Sequence, residues 1–475
     1  MGTKKIERDR IEDILSLSPL QKGILFHYLQ KPESKVYQVQ LCLQLKGDIQ
    51  PSYVKKAWNY VIENNQALRT VFRWINVNDP IQIVLKSHLV NFREHDLSGL
   101  NESEQLKQLS TIRNAEWCER FDLEEVAFRI TLCKMKNDEY EMIISNHHIL
   151  YDGWSNGIIL REFFNTYQGI YDGKVCDRPV KNNLKEFIKS IRQQNKVEQQ
   201  LYWRNYFAGY DSQTKLPYDS LKNKEGKSST SLSYLFPSEL LNDVRNFVKK
   251  EKITLATFLY TTWGLLLQKY NYSKESILGT TVSGRSSRVK NIENMVGLFI
   301  NTLPLIIREE EGMTARKLLC QVNSTVIERE EYEQSSLIDI KSYSNHSHQD
   351  SLFNSIVVIE NYPLDNIFNK NYAIQIETFS IHDETNFDLV LAITPELGEY
   401  SFRFNNSLFK KKTIEFMSEN FKQLILEIIM NPELKLNDLN LITKEQKLFF
   451  EKINNTDTLY PQNHTLNELF EKQVK

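Results

Sequence analysis

Cysteine is scarce in this chain: the five copies among 475 residues are odd in number and far apart. No two of them form a CxxC pair, the spacing that zinc sites and redox pairs commonly use. The pattern argues against a disulfide framework and against a metal site, and it fits a protein of the reducing cytoplasm. The cysteines are Cys42, Cys118, Cys133, Cys176 and Cys320.

An excess of charge of one sign is also missing. The 59 basic and 61 acidic residues give a net charge of −2, so no overall field draws the chain to nucleic acid or anionic lipid. No apolar run approaches the length of a membrane span, and residues 1–13 lack the apolar centre of a signal peptide. We expect a soluble, cytoplasmic protein that binds neither nucleic acid nor membrane.

The length of the chain exceeds that of one typical core, so two domains are the natural expectation. Helical and extended patterns alternate in both halves, which predicts an α/β fold. A polar stretch at 172–182 suggests a boundary, with domains at 1–176 and 177–452. Predicted helices cover 19–28, 51–64, 155–171 (capped by Ser155), 183–193, 197–207, 237–250, 254–270 and 411–430; predicted strands cover 37–45, 70–74, 128–135, 139–148, 276–283, 355–360, 373–379, 387–394 and 400–404.

The stretch HHILYDGWS brings two imidazoles, a carboxylate and a glycine together at the end of a predicted strand. Because side chains alternate along a strand, only one of His147 and His148 can face a given cavity. An imidazole can take or hold a proton near neutral pH. Asp152 can bond a ring nitrogen or pin the loop by pairing with an arginine, and the residues alone leave both roles open. A pair of hydrogen-bonded histidines that closes a hairpin is the equally simple alternative.

The HHILYDGWS stretch resembles the HHxxxDG signature of condensation domains of nonribosomal peptide synthetases, relatives of chloramphenicol acetyltransferase. Four further matches occur in the order of that family and span nearly the whole chain. The resemblance implies two acetyltransferase-like α/β sandwich lobes arranged as a V with the active site between them. The other matches are SPLQKGILFH from Ser18, ALRTVF from Ala67, MVGLFINT from Met295, and LFNS from Leu352 with ENYP from Glu360.

The same resemblance implies an acyltransferase that forms a peptide bond. The amine of a downstream carrier-bound aminoacyl thioester would attack an upstream carrier-bound thioester, with His148 positioning or deprotonating the amine. Gly153 would be the second catalytic residue. The domain itself would bind no cofactor, because the phosphopantetheine arms belong to the donor and acceptor peptidyl carrier domains that enter a tunnel. His147 and Asp152 would be structural, and Asp152 would pair with Arg285, which follows a predicted strand.

Three other residues are expected near the tunnel: Arg69, Trp154 and Asn301. For Arg69, an ordinary paired or solvated surface role is an equal alternative. The chain departs from the family pattern at residues 64–66, where Asn-Asn-Gln replaces an Arg-His-acid triplet, which puts any role of that triplet in doubt. Residues 453–475 resemble the linker that joins a condensation domain to an adjacent adenylation domain.

Other functions fit parts of the same pattern. Epimerisation of a carrier-bound residue also uses HHxxxDG, but the LFINT block resembles the condensation form. Heterocyclisation enzymes replace the histidines with an aspartate motif, and plant-type coenzyme A acyltransferases carry a DFGWG block that is absent here. An inactive carrier-docking module is the alternative from another class, and intact His148, Asp152 and Gly153 argue against it.

Overall fold

The computed structural model describes residues 5–136, 138–174, 181, 183–211, 214–220, 229–285, 289–344, 351–360, 372–396, 398–457, 459 and 463–474. Three positions discussed above lie outside these ranges: Asn137, between the predicted strands 128–135 and 139–148, the proposed boundary at residue 176, and residues 361–363 of the ENYP stretch.

The strands and helices alternate along the chain. The strands are β1 (Ile11–Ser16), β2 (Gln38–Gly47), β3 (Thr70–Arg73), β4 (Ile81–Leu85), β5 (Asn91–Asp96), β6 (Phe128–Lys134), β7 (Glu139–His147), β8 (Ser229–Leu235), β9 (Glu275–Val282), β10 (Asn301–Arg308), β11 (Ser355–Ile359), β12 (Ile374–Asp383), β13 (Leu389–Thr394) and β14 (Glu399–Asn405). The helices are α1 (Pro19–Gln30), α2 (Pro51–Asn64), α3 (Glu102–Cys118), α4 (Gly153–Tyr171), α5 (Leu184–Arg192), α6 (Lys196–Tyr206), α7 (Ser238–Glu251), α8 (Leu255–Asn271), α9 (Ala315–Arg329), α10 (Leu337–Tyr343), α11 (Lys411–Met430), α12 (Lys444–Asn454) and α13 (Leu466–Val474).

The N-terminal lobe is built on a sheet that has, within the described residues, five strands in the order β12-β2-β7-β6-β5. Helices α2 and α4 pack against each other, and their aromatic side chains meet those of the sheet in one core. Trp58 of α2 stacks on Phe163 of α4 at 4.8 Å between ring centroids, and Phe128 of β6 lies 5.5 Å from the same indole. A smaller sheet, β1-β4-β3, adjoins this lobe.

The C-terminal lobe is built on a sheet that has, in the described part of the chain, the order β10-β9-β11-β13-β14-β8. Strand β11 lies in the middle and runs parallel to both β9 and β13. Trp263 of α8 is fully buried over this sheet. Its indole nitrogen donates a hydrogen bond to the hydroxyl of Ser355 at 3.0 Å, which satisfies the one polar group of a large apolar side chain.

Strand β12 connects the two lobes. It comes from the C-terminal half of the sequence, yet it pairs antiparallel with β2 along its whole length and completes the N-terminal sheet. The chain then returns to the C-terminal sheet at β13. The N-terminal core is therefore closed by a segment more than three hundred residues away from its partner, and the two lobes share a continuous structural element.

Most predicted elements are confirmed to within a few residues, and α2 and α11 have the expected limits. The prediction that Ser155 caps the following helix is wrong. Asp152 is the N-cap, and its side chain accepts a hydrogen bond from the amide of Ser155 in the first turn. Helices α3 and α9 were not anticipated, because many of their residues are polar and their apolar positions are sparse.

Within the described residues, no helix combines the length and apolar character that crossing a membrane requires.

Candidate active site

The first histidine of the motif, His147, is the last residue of β7 and is buried. Its backbone amide donates to the carbonyl of Ala127 at 3.0 Å, and its Nδ1 accepts a hydrogen bond from the amide of Ile149. The imidazole packs perpendicular to the ring of Tyr28, with 5.7 Å between the ring centroids. Burial, with smaller contributions from His148 and Arg120, lowers the pKa of His147 to about 3. The imidazole is therefore neutral in the folded protein and serves the packing of the strand end.

The second histidine, His148, lies in the turn after the strand and is only half-buried. Its backbone amide donates to the carbonyl of Tyr37 at 2.7 Å, which fixes the turn to the start of β2. The side chain lines a cavity between the two lobes. Its Nδ1 has no hydrogen-bond partner among the described residues. His148 is thus the motif imidazole that can meet a molecule in the cavity.

Asp152 is buried, and its carboxylate is saturated with donors. Oδ1 accepts from the amide and hydroxyl of Ser155 and from Nη2 of Arg285. Oδ2 accepts from Nη1 of Arg285 and from the amides of Phe299 and Ile300. Burial acts to raise the pKa of Asp152, but the Arg285 guanidinium and these hydrogen bonds outweigh it and hold the pKa below its usual value. With six donors around it, the carboxylate has little capacity left for substrate.

Arg285 follows β9 and reaches Asp152 from the C-terminal lobe. Its Nη2 also donates to the hydroxyl of Ser155 at 3.1 Å and to the carbonyl of Met295 at 3.3 Å. The guanidinium lies 4.6 Å from the ring centroid of Phe299, in the range of a cation–π contact. The arginine is therefore held from several sides, and it ties the loop after β7 to the segment before β10.

The cavity beside His148 has a volume of about 410 Å³ and receives side chains from both lobes. Gly153, the first residue of α4, and Asn301, the first residue of β10, both line it. The amide nitrogen of Asn301 donates to the carbonyls of Glu333 and Ser335, each at 2.8 Å. Asn301 therefore holds the segment before α10 against the cavity. Whether a second opening makes this space a through-tunnel stays a prediction.

Two residues expected near the tunnel, Arg69 and Trp154, bond to neighbouring segments. Arg69 is buried at the end of a 3-10 turn and bonds the carboxylate of Glu12 and the carbonyl of Leu85. Trp154 donates from its indole nitrogen to the carbonyl of Glu293 at 3.1 Å. Neither side chain is among the described residues that line the cavity. Their contacts hold neighbouring segments together, and the paired role is the one the geometry supports for Arg69.

Asn65, in the middle of the departure from the family pattern at residues 64–66, has two charged partners. Asn65 donates to Glu162 at 2.8 Å and accepts from the ammonium group of Lys181 at 2.6 Å. Lys181 also pairs with Glu162. Burial lowers the pKa of Lys181, against the opposing effect of Glu162. A lysine from beyond α4 thus supplies the positive charge next to Glu162.

Sequence reasoning did not single out Asn146, although it lies two residues before His148 and lines the same cavity. Its Oδ1 accepts a hydrogen bond from the hydroxyl of Tyr151 at 2.9 Å. Its Nδ2 is buried and has no partner among the described residues. Both residues fall in the predicted strand 139–148, and their two-residue spacing was the signal available, since alternate residues of a strand share a face.

The chain matches the family model of the condensation domain over residues 11–449. It is 28% identical over 452 residues to surfactin synthase subunit 3 of Bacillus subtilis, covering 94% of this chain and 35% of that protein. It is 30% identical over 483 residues to gramicidin S synthase 2 of Brevibacillus brevis, covering 99% of this chain and 11% of that protein. The chain therefore spans about a third or less of these relatives.

Among solved structures, a four-domain nonribosomal peptide synthetase bound to AMP and glycine is similar at a TM-score of 0.79 and 18% identity. That match covers 99% of this chain and 37% of the other. The first condensation domain of the calcium-dependent antibiotic synthetase, in complex with a substrate analogue, gives 0.73 at 16% identity, covering 91% and 100%. The expected two-lobed acetyltransferase-like fold is confirmed, and the chain belongs to the condensation-domain family of nonribosomal peptide synthetases.

Proposed function

We propose that this chain forms a peptide bond between two carrier-bound groups. The amine of an acceptor aminoacyl thioester attacks the carbonyl carbon of a donor thioester. The new C–N bond forms, the C–S bond breaks, and the donor carrier leaves with a free thiol. The amine loses one proton in the process. The partners are a donor and an acceptor peptidyl carrier domain whose phosphopantetheine arms enter the cavity, and an adenylation domain follows residues 453–475.

The position of His148 is the observation that supports this proposal most. It is the motif histidine on the cavity wall, it is half-buried, and its Nδ1 has no partner among the described residues. His147 and Asp152, by contrast, are buried and bonded within the protein. A cavity between two lobes also suits a reaction whose two substrates arrive on separate proteins.

The reaction needs little chemical assistance beyond alignment and one proton transfer. A thioester is already activated, and holding two reactants in attack geometry removes much of the barrier. An α-amino group has a pKa near about 8, so a sizeable fraction is neutral at physiological pH. His148 therefore acts by orienting the amine and by taking its proton as the bond forms. Gly153, which lines the same cavity, leaves its part of the wall free of a side chain.

The test uses the purified chain with two loaded carrier domains in a single turnover. Mass spectrometry of the acceptor carrier detects the condensed product, and chiral analysis of each released residue detects epimerisation. The proposal predicts a dipeptidyl acceptor carrier with unchanged stereochemistry. Inversion of one carrier-bound residue without transfer supports epimerisation instead. Binding of both carriers with neither transfer nor inversion supports an inactive docking module.

A further inference from the structure

Three charged side chains meet on the cavity wall away from the HHxxxDG loop: Glu360, Asp383 and Arg403. Nη1 of Arg403 lies 2.7 and 2.8 Å from the two oxygens of Asp383, and Nη2 lies 2.8 Å from Oε1 of Glu360. Asp383 ends β12, Arg403 is in β14, and Glu360 follows β11. The arginine of one lobe therefore bonds a carboxylate carried by the sheet of the other.

Strand register relates this charged cluster to His148. Asn146, Val39 and Asp383 lie opposite one another on β7, β2 and β12. All three line the cavity, as His148 does. Adjacent strands are about 4.8 Å apart, so the row spans about 10 Å from Asn146 to Asp383. An aminoacyl group whose amine lies at His148 can extend its side chain along this row toward the cluster.

Within the described residues, the cluster has an excess of one negative charge, because two carboxylates share one guanidinium. Three other charged residues line the cavity. Asp152 is paired with Arg285, and Lys341 and Glu384 carry opposite charges, so these three residues add no net charge that offsets the cluster. A half-buried charge that lacks a counter-charge is costly unless a ligand supplies one. Burial, with Asp383 adding to it, raises the pKa of Glu360 despite Arg403.

The two carboxylates also have unused acceptor capacity. Among the described side chains, Asp383 accepts from Arg403 alone, and Glu360 accepts from Arg403 and from the hydroxyl of Thr394 at 3.4 Å. An ionised carboxylate offers about four lone-pair positions. Donors on a ligand can therefore be added without breaking the existing bonds to Arg403.

We propose that Glu360 and Asp383, held by Arg403, bind the cationic end of a basic amino-acid side chain on a carrier-bound substrate. The ligand chemistry is a primary ammonium or a guanidinium group at the end of a flexible chain. This inference rests on the proposed function, because it concerns substrates of the same cavity. It makes the two carboxylates residues that determine specificity, in addition to any part they have in joining the lobes.

The matched substrates are ornithine and norvaline, which share one carbon skeleton and differ in the terminal amine. One arm loads this pair on the acceptor carrier opposite a neutral donor, and the other arm loads it on the donor carrier. The ratio of kcat/KM for ornithine to that for norvaline measures selectivity. We expect the wild type to favour ornithine about tenfold or more in one arm, as charge-assisted hydrogen bonds allow. The arm that responds identifies which substrate carries the basic side chain.

The variants Glu360→Gln and Asp383→Asn each remove the excess negative charge while keeping the side-chain shape. Both should bring the ratio close to one while norvaline turnover continues, and Glu360→Asp should retain the preference. The control is Glu251→Gln, another carboxylate paired with an arginine, Arg316, but outside the cavity. It should leave the ratio unchanged whatever it does to stability.

A wild-type ratio near one in both arms would overturn the inference, as would an unchanged ratio in both neutralised variants. If norvaline condenses and ornithine is not preferred, only this inference fails. If neither substrate condenses, the proposed function fails. If no substrate condenses, calorimetry with ornithinyl- and norvalyl-pantetheine makes the same comparison by binding alone. Equal binding of the two thioesters to the wild type then rejects the inference.

Discussion

Nη1 of Arg285 lies 2.7 Å from Oδ2 of Asp152, and Nη2 lies 3.0 Å from Oδ1, although the two residues are 133 positions apart. Both side chains are almost inaccessible to solvent. This two-point contact joins the loop that carries His148 to the C-terminal lobe. It makes the position of the histidine depend on a bond between lobes.

Replacing Asp152 by Ala should lower both stability and activity. The change leaves the Arg285 guanidinium buried without a counter-charge, at a cost of about 3 to 5 kcal/mol in the free energy of unfolding. Asp152→Asn should be milder, because an amide keeps part of the hydrogen bonding. Urea unfolding of both variants measures the difference. Unfolding of Asp152→Ala like the wild type, with all activity lost, would instead make the carboxylate a participant in the chemistry.

Replacing Gly284 by Ala should displace Arg285 from Asp152. Gly284 has a positive φ of 62°, and an added Cβ would lie 1.8 Å from the carbonyl oxygen of Phe299. This oxygen belongs to the backbone, so the clash cannot be relieved by a side-chain rotation. Gly312 is the matched control, since it also has a positive φ and an added Cβ would meet nothing within 4 Å. Gly312→Ala should lower the free energy of unfolding by roughly 1 kcal/mol, the strain of the left-handed conformation, and Gly284→Ala should lower it clearly more. Equal losses of stability would show that the contact with Phe299 is unimportant.

His147 should make the protein less stable in mild acid. Its pKa falls from about 6.5 in the unfolded chain to about 3 in the folded protein. Between these values the unfolded chain binds a proton that the folded one does not. Stability is therefore full above about pH 6.5 and decreases as the pH falls toward 3, by roughly 1.4 kcal/mol per pH unit. Asp152, whose pKa is also depressed, adds a loss in the same direction at lower pH.

The comparison of urea unfolding at pH 7 and pH 5 isolates this effect. From pH 7 to pH 5, the free energy of unfolding of His147→Asn should fall by about 2 kcal/mol less than that of the wild type, because the group that takes up the proton is gone. The control His95→Asn removes an exposed histidine on β5 and should behave like the wild type. The same pH dependence in His147→Asn as in the wild type would show that the buried imidazole is not its source.

The sequence was informative about the site wherever a local pattern determines position. The apolar run before the motif predicts the buried strand β7, and strand alternation separates the two histidines. The resemblance to a known family added the expectation that Asp152 and Arg285 meet. The exact helix start was misjudged because Asp152 and Ser155 are both good N-cap residues, and only the backbone course decides between them.

Long-range relationships could not be derived from local pattern. A bulge between Ile376 and Thr378 interrupts the alternation of β12, and nothing in its residues shows that it pairs with β2. Arg69 bonds Glu12, 57 residues away, across a sheet whose central strand β4 was not anticipated. The carboxylate of Asp383 meets Arg403 only because β12 crosses between the lobes. These contacts follow from topology, which a single sequence constrains weakly.

The most direct test compares His148→Ala with His147→Ala in the single-turnover assay with two loaded carriers, alongside urea unfolding. Removing a group that handles the proton typically slows a reaction by about 10² to 10⁴-fold. We expect His148→Ala to slow product formation by that order while its stability stays near that of the wild type. His147→Ala should chiefly lose stability, since its ring is buried against Tyr28. The account is contradicted if His147→Ala abolishes condensation with stability unchanged, or if His148→Ala condenses at the wild-type rate.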